Sequence, residues 1–198
     1  MKKLAWILFG SALIFCLPAR AQDAPKYEIG GGYAFRSFDD TIYNIRLNMN
    51  GWDAFGDYHI WRFINVAADV SGTYSFYGTN PNSISYTGNT SIYNVLAGPQ
   101  LYPFGHNHKI TFYGHLLFGE GMYVYNLPSE GGFHAVHHFD SGLTWMGGGG
   151  FDVRVTKHWS VRLPEADYEQ THFFGGGAGI NQGNYRVSVG AIYRFGAK

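Results

Sequence analysis

The sequence predicts an all-β chain: an eight-stranded antiparallel, up-and-down transmembrane β-barrel, closed between its first and last strands. Three observations predict it. Apolar and polar residues alternate with a period of two in eight separate segments. The connections between these segments are alternately long and short. The composition, with 28 Gly, 15 Tyr, 16 Phe and 5 Trp, is rich in aromatics yet slightly negative in mean hydropathy. Strands whose two faces meet different solvents have that character.

The first 21 residues read as a cleaved secretory signal, leaving 22–198 as the barrel. Lys2 and Lys3 form a positive start, Leu4–Leu17 is a nearly unbroken apolar run, and Ala19-Arg20-Ala21 fits a small-x-small cleavage site. The apolar run is 14 residues, short of the ~20 that a spanning helix needs. Cys16, the only cysteine, lies inside it, so no disulfide or thiol chemistry is expected of the mature chain. Loss of Lys2, Lys3 and Arg20 leaves 11 of 14 basic residues against 14 acidic ones, a net −3. A mildly acidic chain is a poor partner for nucleic acid.

The eight strands are expected at approximately 26–38, 48–61, 66–78, 91–104, 110–125, 142–155, 159–172 and 184–196. In the first, Tyr27, Ile29, Tyr33 and Phe35 oppose Glu28, Gly30, Gly32 and Arg36. In the second, Trp52, Ala54, Tyr58 and Ile60 oppose Asp53, Phe55, Asp57 and His59. The third sets Val66, Ala68, Val70 and Tyr74 against Asp69, Ser71 and Thr73. The fourth sets Tyr93, Val95, Ala97 and Leu101 against Asn94, Gly98, Gln100 and Tyr102. The fifth sets Ile110, Phe112, Leu116 and Phe118 against Thr111, Tyr113 and His115. In the sixth, Trp145, Phe151, Val153 and Val155 oppose Thr144, Gly148, Gly150, Asp152 and Arg154. The seventh is less regular, with Pro164, Ala166 and Tyr168 opposing Leu163, Glu165, Asp167 and Glu169. The eighth is the clearest: Tyr185, Val187, Val189, Ala191, Tyr193 and Phe195 share one face, and Arg186, Ser188, Gly190, Ile192 and Arg194 the other.

Each segment supplies the roughly 9–11 residues that a tilted strand needs to cross a bilayer. Short connections fall near Arg62–Asn65, Gly105–Lys109 and Thr156–His158, and long ones at Asp39–Tyr43, Gly78–Thr90, Asn126–Ser141 and Phe173–Asn184. Short turns inside and long loops outside place both termini in the periplasm. Lipid offers the backbone no hydrogen-bond partner, so the sheet must close on itself.

The inward faces carry both signs of charge. Glu28, Asp53, Asp57, Asp69, Asp152, Glu165 and Asp167 face Arg36, Arg154, Arg186 and Arg194, with His59 and His115 beside them. Charges in a narrow interior must pair, so these residues are expected to form a structural ion-pair network. On adjacent strands, Glu165 and Asp167 can meet Arg186 or Arg194. The glycine runs Gly30–Gly32 and Gly147–Gly150 lack the lysine and strand–loop–helix setting of a phosphate loop, and read as room for bulky neighbours. His134, His137 and His138 stand in the third long loop, where Asp140 could complete a metal site if the segment were helical. No cofactor is expected. Glu120 falls on the lipid-facing parity, and lies either at the outer rim or on a bulge that turns it inward. Pro164 implies either a missing inter-strand bond or a bulge.

With these strands laid out, the chain resembles the OmpA/OmpX-like outer membrane β-barrel family over about residues 24–196. The stretches Asn50–Ala54, Ala68–Tyr74, Leu96–Gln100, Gly147–Asp152 and Ala166–Tyr168 carry the likeness. The resemblance implies a cell-envelope protein of a Gram-negative outer membrane, in contact with lipid and lipopolysaccharide. Periplasmic chaperones and the barrel-assembly machinery would handle it during biogenesis. The family's assembly signal is a strand ending on an aromatic residue; here the face Tyr185 to Phe195 supplies it, followed by Gly196-Ala197-Lys198. The resemblance implies a structural or adhesion-like role through the outer loops, toward a surface or host ligand, without catalysis. Two alternatives stand beside it. One is a lipid A deacylase-type enzyme, for which His172 would be the base, although Phe174 replaces the expected serine. The other is a narrow, porin-like solute channel.

Overall fold

The computed structural model describes residues 25–40, 45–76, 89–105, 108–127, 136–173 and 180–196. It is a closed barrel of strands β1 (Tyr27–Asp40), β2 (Ile45–Trp61), β3 (Ile64–Phe76), β4 (Asn89–Leu101), β5 (Ile110–Leu127), β6 (Val136–Arg154), β7 (Trp159–Phe173) and β8 (Ile180–Phe195). Every neighbouring pair is antiparallel, and β1 closes onto β8 from Tyr27↔Phe195 to Ser37↔Tyr185. Closure leaves no strand edge to be satisfied by solvent.

The turns that set this order have local causes. Arg62 and Phe63 alone join β2 to β3, with Trp61 opposite Ile64. Gly105 takes φ +75° and donates its N–H to the Tyr102 carbonyl, a conformation that favours glycine. Between β6 and β7, the Thr156 hydroxyl accepts from the backbone N–H groups of His158 (3.3 Å) and Trp159 (3.0 Å), a side-chain turn typical of threonine.

Outward side chains are apolar and exposed along the wall, among them Ile29, Val70, Val95, Leu116, Phe118 and Val187. Two aromatic tiers bound them. At the turn end, Tyr27 lies against Tyr58 and Phe195, and Tyr193 against Trp159. Toward the loop end, the Trp52 indole N–H donates to Tyr74, Tyr74 packs on Tyr93, and Tyr168 sits between Trp145 and Tyr185. On β8 these tiers are marked by Tyr193 and Tyr185. At ~3.3 Å rise and ~40° tilt they stand roughly 20 Å apart along the barrel axis, a little under the ~25 Å apolar band of an outer-membrane barrel.

The strands run further toward the loop end than apolar alternation indicates. β6 begins at Val136 rather than 142, β8 at Ile180 rather than 184, and β2 at Ile45 rather than 48. Lipid imposes the alternation and the backbone ladder does not require it, so pairing continues past the membrane face. His137 and His138 therefore stand on β6, opposite Asn126 and Tyr125, and not in a loop. As adjacent strand residues they point to opposite faces, which removes the helical spacing of the proposed metal set. His134 lies outside the described residues.

Two irregular positions are settled by register. Glu120 is exposed and outward, opposite Val95 and Leu143 with no register shift, at the level of the loop-side aromatic tier. Pro164 does mark a bulge: the register shifts between Arg162 and Glu165 against β8, and between Gly149 and Phe151 against β6. One extra residue in β7 reverses the faces on its turn side. Leu163, expected inward, is exposed on the outer wall, and Arg162 points inside instead.

Candidate functional site: the charged lumen and its two mouths

The lumen is filled by four layers of side chains, ordered from the turn end to the loop end. At the turn end, Arg194 Nε lies 3.0 Å from Glu28 Oε1, across the β8–β1 seam. Arg154, on the last residue of β6, stands half-buried at the same mouth.

The second layer centres on Arg162. Its Nε donates to Asp152 Oδ1 at 3.0 Å and its Nη1 to Glu165 Oε2 at 3.1 Å. Its Nη2 lies 3.7 Å from Asp57 Oδ2, across the lumen on β2. The guanidinium is held between the rings of Phe55 (4.0 Å) and Tyr113 (4.2 Å), a cation–π sandwich that a planar cation suits. The Gln100 amide donates to Asp57.

The third layer is built on Arg186, which is fully buried. Nε donates to Asp167 Oδ2 (3.0 Å), Nη2 to Glu165 Oε1 (2.9 Å), and Nη1 to both oxygens of Asp69 (2.8 and 3.0 Å). The Asp69 contact crosses the barrel from β8 to β3. Glu165 bridges the two layers, and also accepts from the Tyr113 and Ser188 hydroxyls. His115 Nε2 lies 2.9 Å from Asp167 Oδ1. Asp53 is buried beside Asp69 and Glu165.

In the fourth layer, Arg36 Nη2 lies 3.1 Å from Glu169 Oε2, which also accepts from Asn94 Nδ2 at 2.8 Å. Above it Phe38, Leu47, Met49 and Ile92 form an apolar plug packed against Tyr123. A second apolar cluster, Ala67, Leu96, Leu117 and Met146, fills the β3–β6 side.

Among the described residues, two groups have the ligand types and spacing of a cation site: His115, Glu165 and Asp167; and Asp53, Asp69 and Glu165. Glu165 belongs to both, and Arg186 already supplies positive charge to Glu165, Asp69 and Asp167. Desolvated carboxylates need such multidentate compensation. The arrangement can hold the wall rigid and fill the lumen.

The inward residues named from sequence, Glu28, Arg36, Asp53, Asp57, Asp69, Asp152, Glu165, Asp167, Arg186 and Arg194, are all buried inside, with Arg154 at the rim. Arg186 takes both Glu165 and Asp167, while Arg194 turns to Glu28. Sequence reasoning missed Arg162, whose only signal was the proline two residues on. Outward on β8, Tyr185, Val187, Val189, Ala191, Tyr193 and Phe195 are exposed. His59 shares a hydrogen bond with Asn65 (2.8 Å), and His172, at the loop end of β7, one with the Asn181 amide (2.6 Å).

No curated protein sequence matches the chain. Several solved structures share its fold. Ail, the attachment invasion locus protein of Yersinia pestis, superposes with a TM-score of 0.61 at 20% identity, covering 86% of this chain and 99% of Ail. Neisserial surface protein A (NspA) gives 0.59 at 12% identity, over 88% of this chain and 100% of NspA. OprG from Pseudomonas aeruginosa gives 0.53 at 14% identity, over 91% and 100%. The profile of the outer membrane protein β-barrel domain matches residues 7–195. Eight closed strands, two aromatic tiers and that match agree: the chain belongs to the outer membrane protein β-barrel domain family, of the OmpA/OmpX-like type.

Proposed function

We propose that this barrel is a non-catalytic envelope protein that holds its loop end out to a surface partner. Residues 1–21 are its cleaved signal, and both termini lie in the periplasm. The observation that carries the reading is the overhang of β5 and β6. They are 18 and 19 residues long, where about 9–11 cross a bilayer. Beyond Glu120↔Leu143, at the loop-side aromatic tier, their ladder continues to Leu127↔Val136. At ~3.3 Å per residue and with the strand tilt, that is roughly 15–20 Å of paired hairpin outside the membrane. It exposes His137, His138 and Phe139. A rigid stalk under a loop is a scaffold for recognition.

Charge narrows the partner. Ail has been crystallised with the heparin analogue sucrose octasulfate. Here Asp39, Glu120 and Asp140 outweigh Arg46 at the described loop end, and Glu130 is the one charged residue of segment 128–135. A polyanion would be repelled, so the partner is one without dense negative charge.

Replacing residues 128–135 and 80–88 by short turns tests the reading. Heat-modifiable gel migration should be kept, showing a closed barrel, while adhesion of cells expressing the variant should fall to the level of cells lacking the protein. Adhesion unchanged by both replacements would sink the loop-end role. Mass spectrometry of lipid A should show the same acyl chains with and without the protein; a lost chain would overturn the non-catalytic reading.

A further inference from the structure

A cavity of about 580 Å³ opens at the turn end, between the β6–β7 turn and the end of β8. Lys109, Arg154, Lys157, His158 and Arg194 line it, and among the described residues no carboxylate does. Behind this lining the Arg194 guanidinium is closed off from solvent and has a donor to spare. Arg194 is 2% exposed, and its Nε faces Glu28 at 3.0 Å. Its Nη2 lies 4.0 Å from Asp152 Oδ2, and its Nη1 is buried with no hydrogen-bond partner among the described residues. A buried guanidinium N–H without an acceptor is costly, and an entering oxyanion would satisfy it in the forked geometry that arginine favours.

The walls of the cavity say where that oxyanion comes from. The His158 Nδ1–H donates to the Arg194 carbonyl at 3.1 Å, and the ring lies 6.1 Å from Tyr193. Tyr193 continues into the turn-end aromatic tier with Trp159 and Phe195. Val155 and Phe195, both lining the cavity, are exposed on the lipid side. The cavity thus joins the lumen mouth to the membrane interface at headgroup depth. Next to pocket-lining Pro25, Lys26 adds positive charge at the turn end, resting on Tyr27 and Tyr58.

We propose that this pocket binds a phosphate oxyanion, supplied by the headgroup of an anionic phospholipid of the periplasmic leaflet. Arg194 and Arg154 would take the phosphate oxygens, Lys109 and Lys157 would neutralise it from the solvent side, and the acyl chains would lie along Val155 and Phe195. Clustered cations beside an apolar wall are the usual means of lipid-headgroup capture. The proposal rests on the turn end facing the periplasm, which is tested separately below.

The experiment is native mass spectrometry of the folded barrel in detergent, offered phosphatidylglycerol or diacylglycerol with the same acyl chains. These differ by the glycerol phosphate alone. The expected result is at least tenfold greater retention of phosphatidylglycerol. The exposed pair K109Q/K157Q should fold normally and lose that preference. Equal retention of the two lipids, or a preference untouched by K109Q/K157Q, overturns the lipid as the occupant of this site. Inorganic phosphate, followed by the NMR signals of the Arg194 side chain, distinguishes the sources: a shift without lipid retention keeps the oxyanion pocket and overturns the lipid as its occupant. Labelling of K157C in intact cells by a membrane-impermeant maleimide reports orientation alone. No labelling is expected, and labelling overturns the periplasmic leaflet as the source even where detergent binding persists.

Discussion

Arg162 and Glu165 stand three residues apart on one strand, yet both point into the lumen, with Arg162 Nη1 at 3.1 Å from Glu165 Oε2. In a regular strand residues at that spacing face opposite sides. The bulge at Pro164 brings them together. Deleting Pro164 should therefore restore regular pleating and turn Arg162 and Ser160 toward lipid. An arginine on the lipid face costs ~2–4 kcal/mol near the midplane, and Asp152, Asp57 and Glu165 would lose their cation. P164A keeps the extra residue and should cost under ~1.5 kcal/mol, within the range of ordinary surface and packing changes. Urea unfolding of the barrel refolded in liposomes measures both. A deletion no more harmful than P164A would refute this account of the bulge.

Arg186 makes the largest set of charge-assisted bonds in the lumen, to Asp69, Glu165 and Asp167. R186M should lower unfolding stability by at least ~3–5 kcal/mol, because removing one partner leaves the others buried and uncompensated. R186K should be intermediate, since an ammonium cannot reproduce the fork that spans three carboxylates. Adding D69N and D167N to R186M should recover part of the loss. The same unfolding assay decides. A loss of less than ~1 kcal/mol for R186M would show that water already screens the cluster.

The barrel and the facing of its strands were legible in the sequence because lipid forces a strict alternation onto each crossing segment. Tyr185 to Phe195 shows this most clearly: its outward and inward sets match the structure residue for residue. Three things were not legible. Strand ends beyond the membrane follow the backbone ladder, so His137 and His138 read as loop although they pair with Asn126 and Tyr125. The face of Arg162 depends on one inserted residue, and alternation alone carries no count of bulges. Pairing across the lumen is also a property of three-dimensional closure: that Arg186 reaches Asp69 on β3, and Arg194 reaches Glu28 on β1, follows from register and not from either strand alone.

Gly148 shows why β6 carries consecutive glycines. A Cβ there would lie 2.1 Å from Asp167 Oδ1 and 2.3 Å from the Ala166 carbonyl oxygen. The missing side chain is the space in which Asp167 reaches Arg186 and His115. G148A should thus act on the ion pairs as well as on packing, costing ~1–3 kcal/mol as an overpacked site does. It should also shift the NMR signals of the His115 ring. By contrast a Cβ at Gly56 would make only an ordinary van der Waals contact, 3.8 Å from the Glu28 carbonyl oxygen. G56A is the control and should change neither readout. A silent G148A would mean that Asp167 moves aside at little cost.

The last prediction concerns transport. Eight strands enclose a space that side chains just fill, and here the contacts Arg186–Asp69, Arg162–Asp57, Asn94–Glu169 and Tyr113–Glu165 all cross it. Phe38, Leu47, Met49 and Ile92 close it again toward the loop end. An ion entering would have to shed water and break charge-assisted bonds at several levels in succession, each costly in a desolvated interior. The purified barrel in a planar bilayer should accordingly show no steady conductance. F38A should remain silent as well, because it thins the apolar plug and leaves the Arg36, Arg186 and Arg162 layers beneath it intact. Opening by F38A alone would place the whole barrier in the plug, and steady stepwise openings of the unmodified barrel would contradict the sealed lumen outright.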